Sequence, residues 1–250
     1  MKIDLNLCFP QLKEFIFHEE TIKNASICTV YNYYRDLILF FKYIKSIKKE
    51  TNTNDKIENT DITDIDTKFL SSITYEEIEQ YFFYLKSVKN NNAATRKRRV
   101  ISLRNFFRFL NLTVEVIDSD PTKKLVTPKL NRSLPKFMLE EECIALLNSI
   151  DGTNKERDYC IFVLFINSGI RLSELVGLNY TDIDRQGDVV IRGKGSKERR
   201  IIFNKACLEA LAEYEKFKEI HYQNKERDRD AVFVGRTGKR LTARRIEQIV

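Results

Sequence analysis

Apolar residues recur at three- and four-residue intervals along most of the chain, and the places where that rhythm fails divide it. From Ile27 to Ile47 the positions Val30, Tyr34, Leu37, Ile38, Phe41 and Ile44 form one stripe, which predicts an amphipathic helix. The rhythm then lapses. Glu50 to Gln80 carries nine acidic residues against Lys56 and Lys68. Its first part, "ETNTNDKIENTDITDID", predicts an exposed, mobile loop, a polar insertion near residues 50–66. "SSITYEEIEQYFFYLKSVK" restarts a helix, with Thr74 as N-cap and Glu77 completing a capping box. Another follows in "NNNAATRKRRVISLRNFFRFL", where Val100, Leu103, Phe106, Phe107 and Leu110 keep helical spacing.

"DSDPTKKLVTPKLNRSLPKF" (118–137) holds three prolines and no helical period, so it predicts an extended, semi-stiff linker. The domains expected are a helical one at 1–118, a linker at 119–136 and a second domain at 137–250. In the second, "MLEEECIALLNSI" and "KERDYCIFVLFINSG" predict helices, with Gly169 stopping the latter. "GDVVIRGKGSKERRIIF" is two β-branched runs around a Gly-Lys-Gly-Ser turn, a hairpin. "KACLEALAEYEKFKEI" is helical again, "AVFVG" predicts a third strand and "TGKR" a turn. The fold class expected is mainly α with a small antiparallel sheet.

Composition narrows the function. The chain of 250 residues is long enough for one large domain or two ordinary ones, and 42% apolar with 32% charged residues excludes a disordered chain. A net charge of +7 and a pI near 9.0 favour a polyanionic partner, without separating DNA from RNA or an anionic membrane. The charge is also concentrated. Thr95, Arg96, Lys97, Arg98 and Arg99, then Arg104 and Arg108, stand on one predicted helix with no acid among them. A charge run is ordinarily a solvated face, but such faces usually mix signs, and six cations without a counter-charge favour nucleic-acid contact. The five cysteines are scattered, without a C-x-x-C pair, and read as reduced thiols. "MKIDLNLCFPQ" lacks the apolar core of a signal peptide, and no run approaches membrane-spanning length, so a cytoplasmic protein without membrane partners is expected.

Most familiar chemistries find no footing. His18 and His221 stand alone, away from metal-ligand spacing, so no metal site is expected. "GKGSK" has neither the spacing nor the following helix of a phosphate-binding P-loop, and no G-x-S-x-G is present. Two features remain. In "NSGIRLSELVGLNYTDID", Arg171 and Glu174 stand three apart at a helix start, where an arginine fork can take two phosphate oxygens and the helix N-terminus adds partial positive charge. An Arg171–Glu174 pair that merely caps the helix accounts for the same residues slightly better. The second feature is Lys194, at a hairpin tip between two glycines, where an ordinary turn lysine is the bland alternative.

The order and spacing of these pieces decide more than each alone. "NSGIRLSELVGLNYTDID" followed by "IRGKGSKERRIIF" resembles the catalytic domain of tyrosine site-specific recombinases, the phage-integrase and Xer-type family. "TVYNYYRDLILFFKYIK" and "ATRKRRVISLRNFFRFL" resemble its helical core-binding domain, and "LPKFMLEEE" and "TGKRLTARRIEQIV" also resemble their counterparts. The resemblance implies a SAM-like helical core-binding domain and a mixed α+β catalytic domain that clamp duplex DNA. It implies a tyrosine that attacks the scissile phosphate, a 3′-phosphotyrosyl link, no metal or high-energy cofactor, and tetramers on paired sites. By resemblance Arg171 is the first catalytic arginine, Lys194 the general acid and Glu174 the acid that braces the site. Candidate DNA contacts are Thr95, Arg96, Lys97, Arg98, Arg99 and Arg104 in the first domain, and Arg199, Arg200, Arg244 and Arg245 in the second. For Arg244 and Arg245, a solvent-facing pair is the plain alternative.

The family's His-x-x-Arg pair, a further His or Trp and the nucleophilic tyrosine follow the helix that here reads "LTARRIEQIV". None of the eleven tyrosines lies beyond Tyr222. Ile246, Ile249 and Val250 make an apolar stripe with no Gly, Asn or Pro to end the helix. The expectation is a catalytic domain incomplete at its C-terminus and inactive as given. Three readings follow: a recombinase seen in part, a non-catalytic DNA-binding protein of recombinase descent, and an unrelated RNA-binding module. The last lacks the aromatic stacking motifs it would need.

Overall fold

The computed structural model describes residues 2–48, 57–130, 134, 136–192, 198–222 and 228–250. The chain forms two compact units, Met1–Ser133 and Leu134–Val250, each with its own apolar core.

The first unit is helical. α1 (Pro10–Phe17) runs into a π-helical turn at His18–Ile22, and α2 (Ile27–Lys48), α3 (Thr67–Ser71), α4 (Tyr75–Ser87) and α5 (Ala93–Leu112) follow. Side-chain caps start three of them. Asp66 accepts from the Phe69 N–H at 2.8 Å, the Thr74–Glu77 capping box forms as expected, and Asn92 accepts from the Thr95 N–H at 2.8 Å. The apolar stripes of α2, α4 and α5 meet in an aromatic core. Edge-to-face pairs such as Phe9–Phe41 (4.8 Å), Phe40–Tyr81 (5.2 Å) and Phe15–Phe106 (5.3 Å) fill it.

The polar stretch after α2 departs from the expected exposed loop. Residues 50–56 lie outside the described residues, but Ile57, Ile62 and Ile65 are buried in the first core. Lys45, itself buried, donates to the Asp61 carbonyl at 2.7 Å and pairs with Asp64. Three isoleucines outweigh the polar composition because apolar burial is worth about 1.5–3 kcal/mol per large side chain. The proline-rich segment also begins attached. Thr122 and Leu125 are buried within the first unit, and Arg104 donates to the Leu125 carbonyl.

The second unit contains α6 (Glu140–Asn148), α7 (Lys155–Ser168), α8 (Leu172–Gly177), a 3-10 turn at Tyr180–Asp182, β1 (Asp188–Arg192), β2 (Glu198–Ile202), α9 (Lys205–His221) and α10 (Ala243–Glu247). β1 and β2 pair antiparallel with Asp188 opposite Ile202 and Arg192 opposite Glu198, the expected hairpin. Its tip, including Lys194, lies outside the described residues. The chain enters β1 through Gly187, whose φ of +88° and position demand glycine: a Cβ there would stand 2.3 Å from the Phe203 carbonyl oxygen. α7 and α9 pack together over Leu164, Val189, Phe203, Tyr214 and Phe233.

"AVFVG" is not a strand. Ala231 bridges Asn179 at one end and Val234 bridges Arg240 at the other. Its two ends pair with different partners, so no continuous ladder forms, although Ala231 to Val234 are all buried. The "TGKR" turn forms, with the Gly235 N–H donating to the Lys239 carbonyl at 2.8 Å.

Candidate functional site

α7 ends where Gly169 turns left-handed, at φ +59°, and three residues later, at Leu172, α8 begins. Arg171 is the N-cap residue of α8, in extended backbone, and Glu174 occupies the third helical position. The Arg171 N–H donates to Glu174 Oε2 at 2.8 Å, and Arg171 Nη1 donates to Glu174 Oε1 at 2.8 Å. Glu174 therefore both caps the helix and pairs with the guanidinium, the arrangement of the plainer of the two readings. Burial separates the partners: 4% of the Glu174 side chain is exposed against 69% of Arg171. A buried carboxylate holds one edge of an arginine whose remaining donors face solvent.

A second arginine completes the cluster. Arg199 donates from Nη2 to Glu174 Oε2 at 2.6 Å, from Nε to Glu174 Oε1 at 3.3 Å and from Nη2 to the Gly169 carbonyl at 3.4 Å. The strand period explains its direction. Arg199 shares a face of β2 with the buried Ile201, whereas Arg200 and Ile202 point the other way and are exposed. The Arg199 bonds above all, with those from Arg171, hold the Glu174 carboxyl down to about 2 against the desolvation that would raise it. The same contact raises the Arg199 guanidinium.

The far end of α8 is also held. Arg240 donates from Nη1 to the carbonyls of Val176 (3.0 Å) and Leu178 (3.1 Å) and from Nη2 to Asn179 Oδ1 at 2.5 Å. Arg240 Nε lies 3.4 Å from Asp228. Beyond it, the buried Lys218 donates to the Tyr180 hydroxyl at 2.5 Å and lies 4.3 Å from the centre of its ring, fastening the turn that follows. Burial raises the Tyr180 phenol, so it stays protonated.

The other predicted contacts are dispersed. Arg244 and Arg245 are exposed on α10, where Arg245 donates to Gln248 Oε1 at 3.2 Å. In the first unit, Thr95 to Arg99 occupy the start of α5 and all are half-buried. The absence of a counter-charge does not survive folding. Asp36 of α2, 2% exposed, accepts from Arg98 Nη1 and from Ser102 Oγ (2.7 Å), and its other oxygen lies 3.7 Å from Arg99 Nε. Arg99, 15% exposed, also donates to the Tyr81 hydroxyl at 2.9 Å. Arg96 donates to the Asn91 carbonyl. Arg98 keeps 41% of its side chain exposed, Arg96, Lys97 and Arg104 are half-buried, and Arg108 is exposed.

Residues 136–250 match the phage integrase family. Tyrosine recombinase XerC of Caldanaerobacter subterraneus subsp. tengcongensis is 35% identical over 241 residues, spanning 96% of this chain and 67% of that protein. Its namesake of Myxococcus xanthus is 33% identical over 242 residues, spanning 95% and 74%. The chain belongs to the tyrosine recombinase family. Among solved structures, the XerH site-specific recombinase bound to palindromic difH substrate superposes with a TM-score of 0.67 at 20% identity, covering 96% of this chain and 65% of that one. It has the same fold.

For a tyrosine recombinase, the residues that sequence reasoning passed over are Asp36, Arg240 and the pairing of Arg199. Asp36 had a local signal: an acid next to Leu37 and one helical turn before Phe40, on a buried face. The opposite facing of Arg199 and Arg200 was also legible, from the two-residue period of a strand. Arg240 had none, because its acceptors are backbone carbonyls some 60 residues away in sequence, at separations of 64 and 62.

Proposed function

We propose that this tyrosine recombinase binds duplex DNA and contributes part of a site that breaks and rejoins a strand through a 3′-phosphotyrosyl link. The observation that carries the reading is the exposed Arg171 guanidinium anchored on the buried carboxylate of Glu174. A planar fork held on one edge is preorganised to take phosphoryl oxygens on its other edge, where charge grows in the transition state. Lys194, by its position in the family motif, donates the proton to the departing 5′-oxygen as the P–O bond breaks and the bond to tyrosine forms. Arg200, Arg244 and Arg245, with Arg98 and Lys97, supply backbone contacts. The phosphotyrosyl link conserves the ester bond, so rejoining needs no metal or high-energy cofactor. The working unit is a tetramer on paired sites in the cytoplasm.

The 250 residues by themselves are expected to bind and not to cleave, since no tyrosine follows Tyr222 to act as the nucleophile. The test is fluorescence anisotropy with duplex DNA and single-stranded RNA of equal length, followed by a nicked duplex that traps covalent adducts. Duplex binding without an adduct supports the reading, and Arg171→Ala should weaken it. Preferred binding of the RNA would overturn it. A denaturation-resistant adduct would show that another residue of this chain is the nucleophile.

A further inference from the structure

Arg199 stands on a strand that presents its neighbours Arg200 and Ile202 to solvent, yet it turns inward with Ile201 and Ile191, its partner on β1. There its guanidinium joins three elements: it belongs to β2, donates to the carbonyl of Gly169 at the end of α7, and grips Glu174 in the first turn of α8. Nε and Nη2 are engaged by these contacts, which leaves the Nη1 edge out of an arginine's five N–H donors. Arg171 has the complementary situation, with Nη1 on Glu174 and 69% of the side chain in solvent.

Glu174 is consequently shared. Oε1 accepts from Arg171 Nη1 and Arg199 Nε, and Oε2 accepts from the Arg171 N–H and Arg199 Nη2. Without Arg199, the contacts left to the carboxylate among the described residues are those of Arg171, from one backbone N–H and one flexible side chain. With it, the carboxylate is also held, at both oxygens, by a residue rooted in the hairpin. Its orientation, and hence that of the Arg171 fork, is fixed across 25 residues of sequence. We propose that Arg199 is a positioning residue that aims Arg171 through Glu174, and not one of the DNA-phosphate contacts. The proposal rests on the reading of Arg171 as the phosphate-facing group.

Two measurements on the whole chain separate this inference from that reading. The first is NMR relaxation of the Arg171 Nε–Hε group in the absence of DNA. Arg199→Ala should convert it from ordered to freely mobile, and an unchanged order would overturn the proposal. The second is a double-mutant cycle in duplex binding. Arg199→Ala should weaken binding about tenfold in the wild-type background and hardly at all when Arg171→Ala or Glu174→Gln is already present. Equal losses in all three backgrounds, with a salt slope lowered by about 0.9 each time, would make Arg199 a direct phosphate contact and overturn the proposal. Should the alanine variant fail to fold, Arg199→Lys answers the same question. Lysine restores the charge but not the two-point grip, so Arg171 should stay mobile and binding weak. Full restoration by lysine would overturn the proposal. A wild-type chain that ignores duplex DNA would end the proposed DNA-binding function, while loss of Arg171 order in Arg199→Ala would still support the positioning role.

Discussion

Acid should loosen the second unit through one identifiable carboxylate. Glu174 titrates at about 2 in the folded chain against an ordinary 4.5, and its largest cause is the hydrogen bonding from Arg199. At about 1.4 kcal/mol per pH unit the depression corresponds to about 3.5 kcal/mol before screening. Both arginines are partly in solvent, with 69% and 37% of their side chains exposed, and screening reduces the figure to about 1–3 kcal/mol. The folded-state value lies below the unfolded one. The contribution is therefore complete above about pH 4.5 and is lost as pH falls toward 2. Other carboxylates also titrate in this window, so the informative quantity is the stability of the wild type minus that of Glu174→Gln, in which they cancel. Urea unfolding read by pulsed hydrogen exchange and mass spectrometry reports peptides from residues 155–221 separately from the first unit. The difference should be flat from pH 7 to 5 and shrink by about 1–3 kcal/mol between pH 4.5 and 2. A difference that stays constant down to pH 2.5 would refute the argument and leave Glu174 as a packing residue.

Three further outcomes are expected. Asp36→Ala removes a buried acceptor from Ser102, Arg98 and Arg99 and should cost the first unit about 2–4 kcal/mol, since Arg98 can rehydrate but Arg99 is covered; a thermal midpoint within 2 °C of wild type, on the order of 0.5 kcal/mol, would contradict this. Arg98→Ala should lower the salt slope of duplex binding by about 0.9, whereas Arg99→Ala should leave the slope nearly unchanged and reduce stability instead; equal slope changes would mean that Arg99 leaves Tyr81 when DNA binds. Tyr214→Phe removes a hydroxyl that accepts from the Val234 N–H at 3.1 Å and donates to its carbonyl at 3.4 Å, both buried, and should cost about 1–3 kcal/mol in urea unfolding. A neutral result would require water to replace the phenol.

Local interactions account for what was legible in the chain alone. Helix stripes, the Thr74–Glu77 box, the Gly169 stop and the hairpin pairing all depend on neighbours within a few residues or on a simple period. The same holds for the Arg171–Glu174 pair at a spacing of three, and for the motif order from which family membership could be read. The isoleucines at 57, 62 and 65 were missed because a polar average conceals single apolar anchors, and Ala231–Val234 because apolar composition does not say whether a ladder partner exists.

What only the tertiary structure decided is which charges meet. Arg98 finds Asp36 across 62 residues and Arg199 finds Glu174 across 25. A basic run with no acid among its own residues thus acquires a buried counter-ion, and one of two adjacent arginines turns inward. An ion pair falls off with distance in space and is indifferent to distance along the chain, so no local pattern could specify it. Sequence by itself determined where the cations stand along the chain; folding determined which of them take a carboxylate partner and which stay exposed.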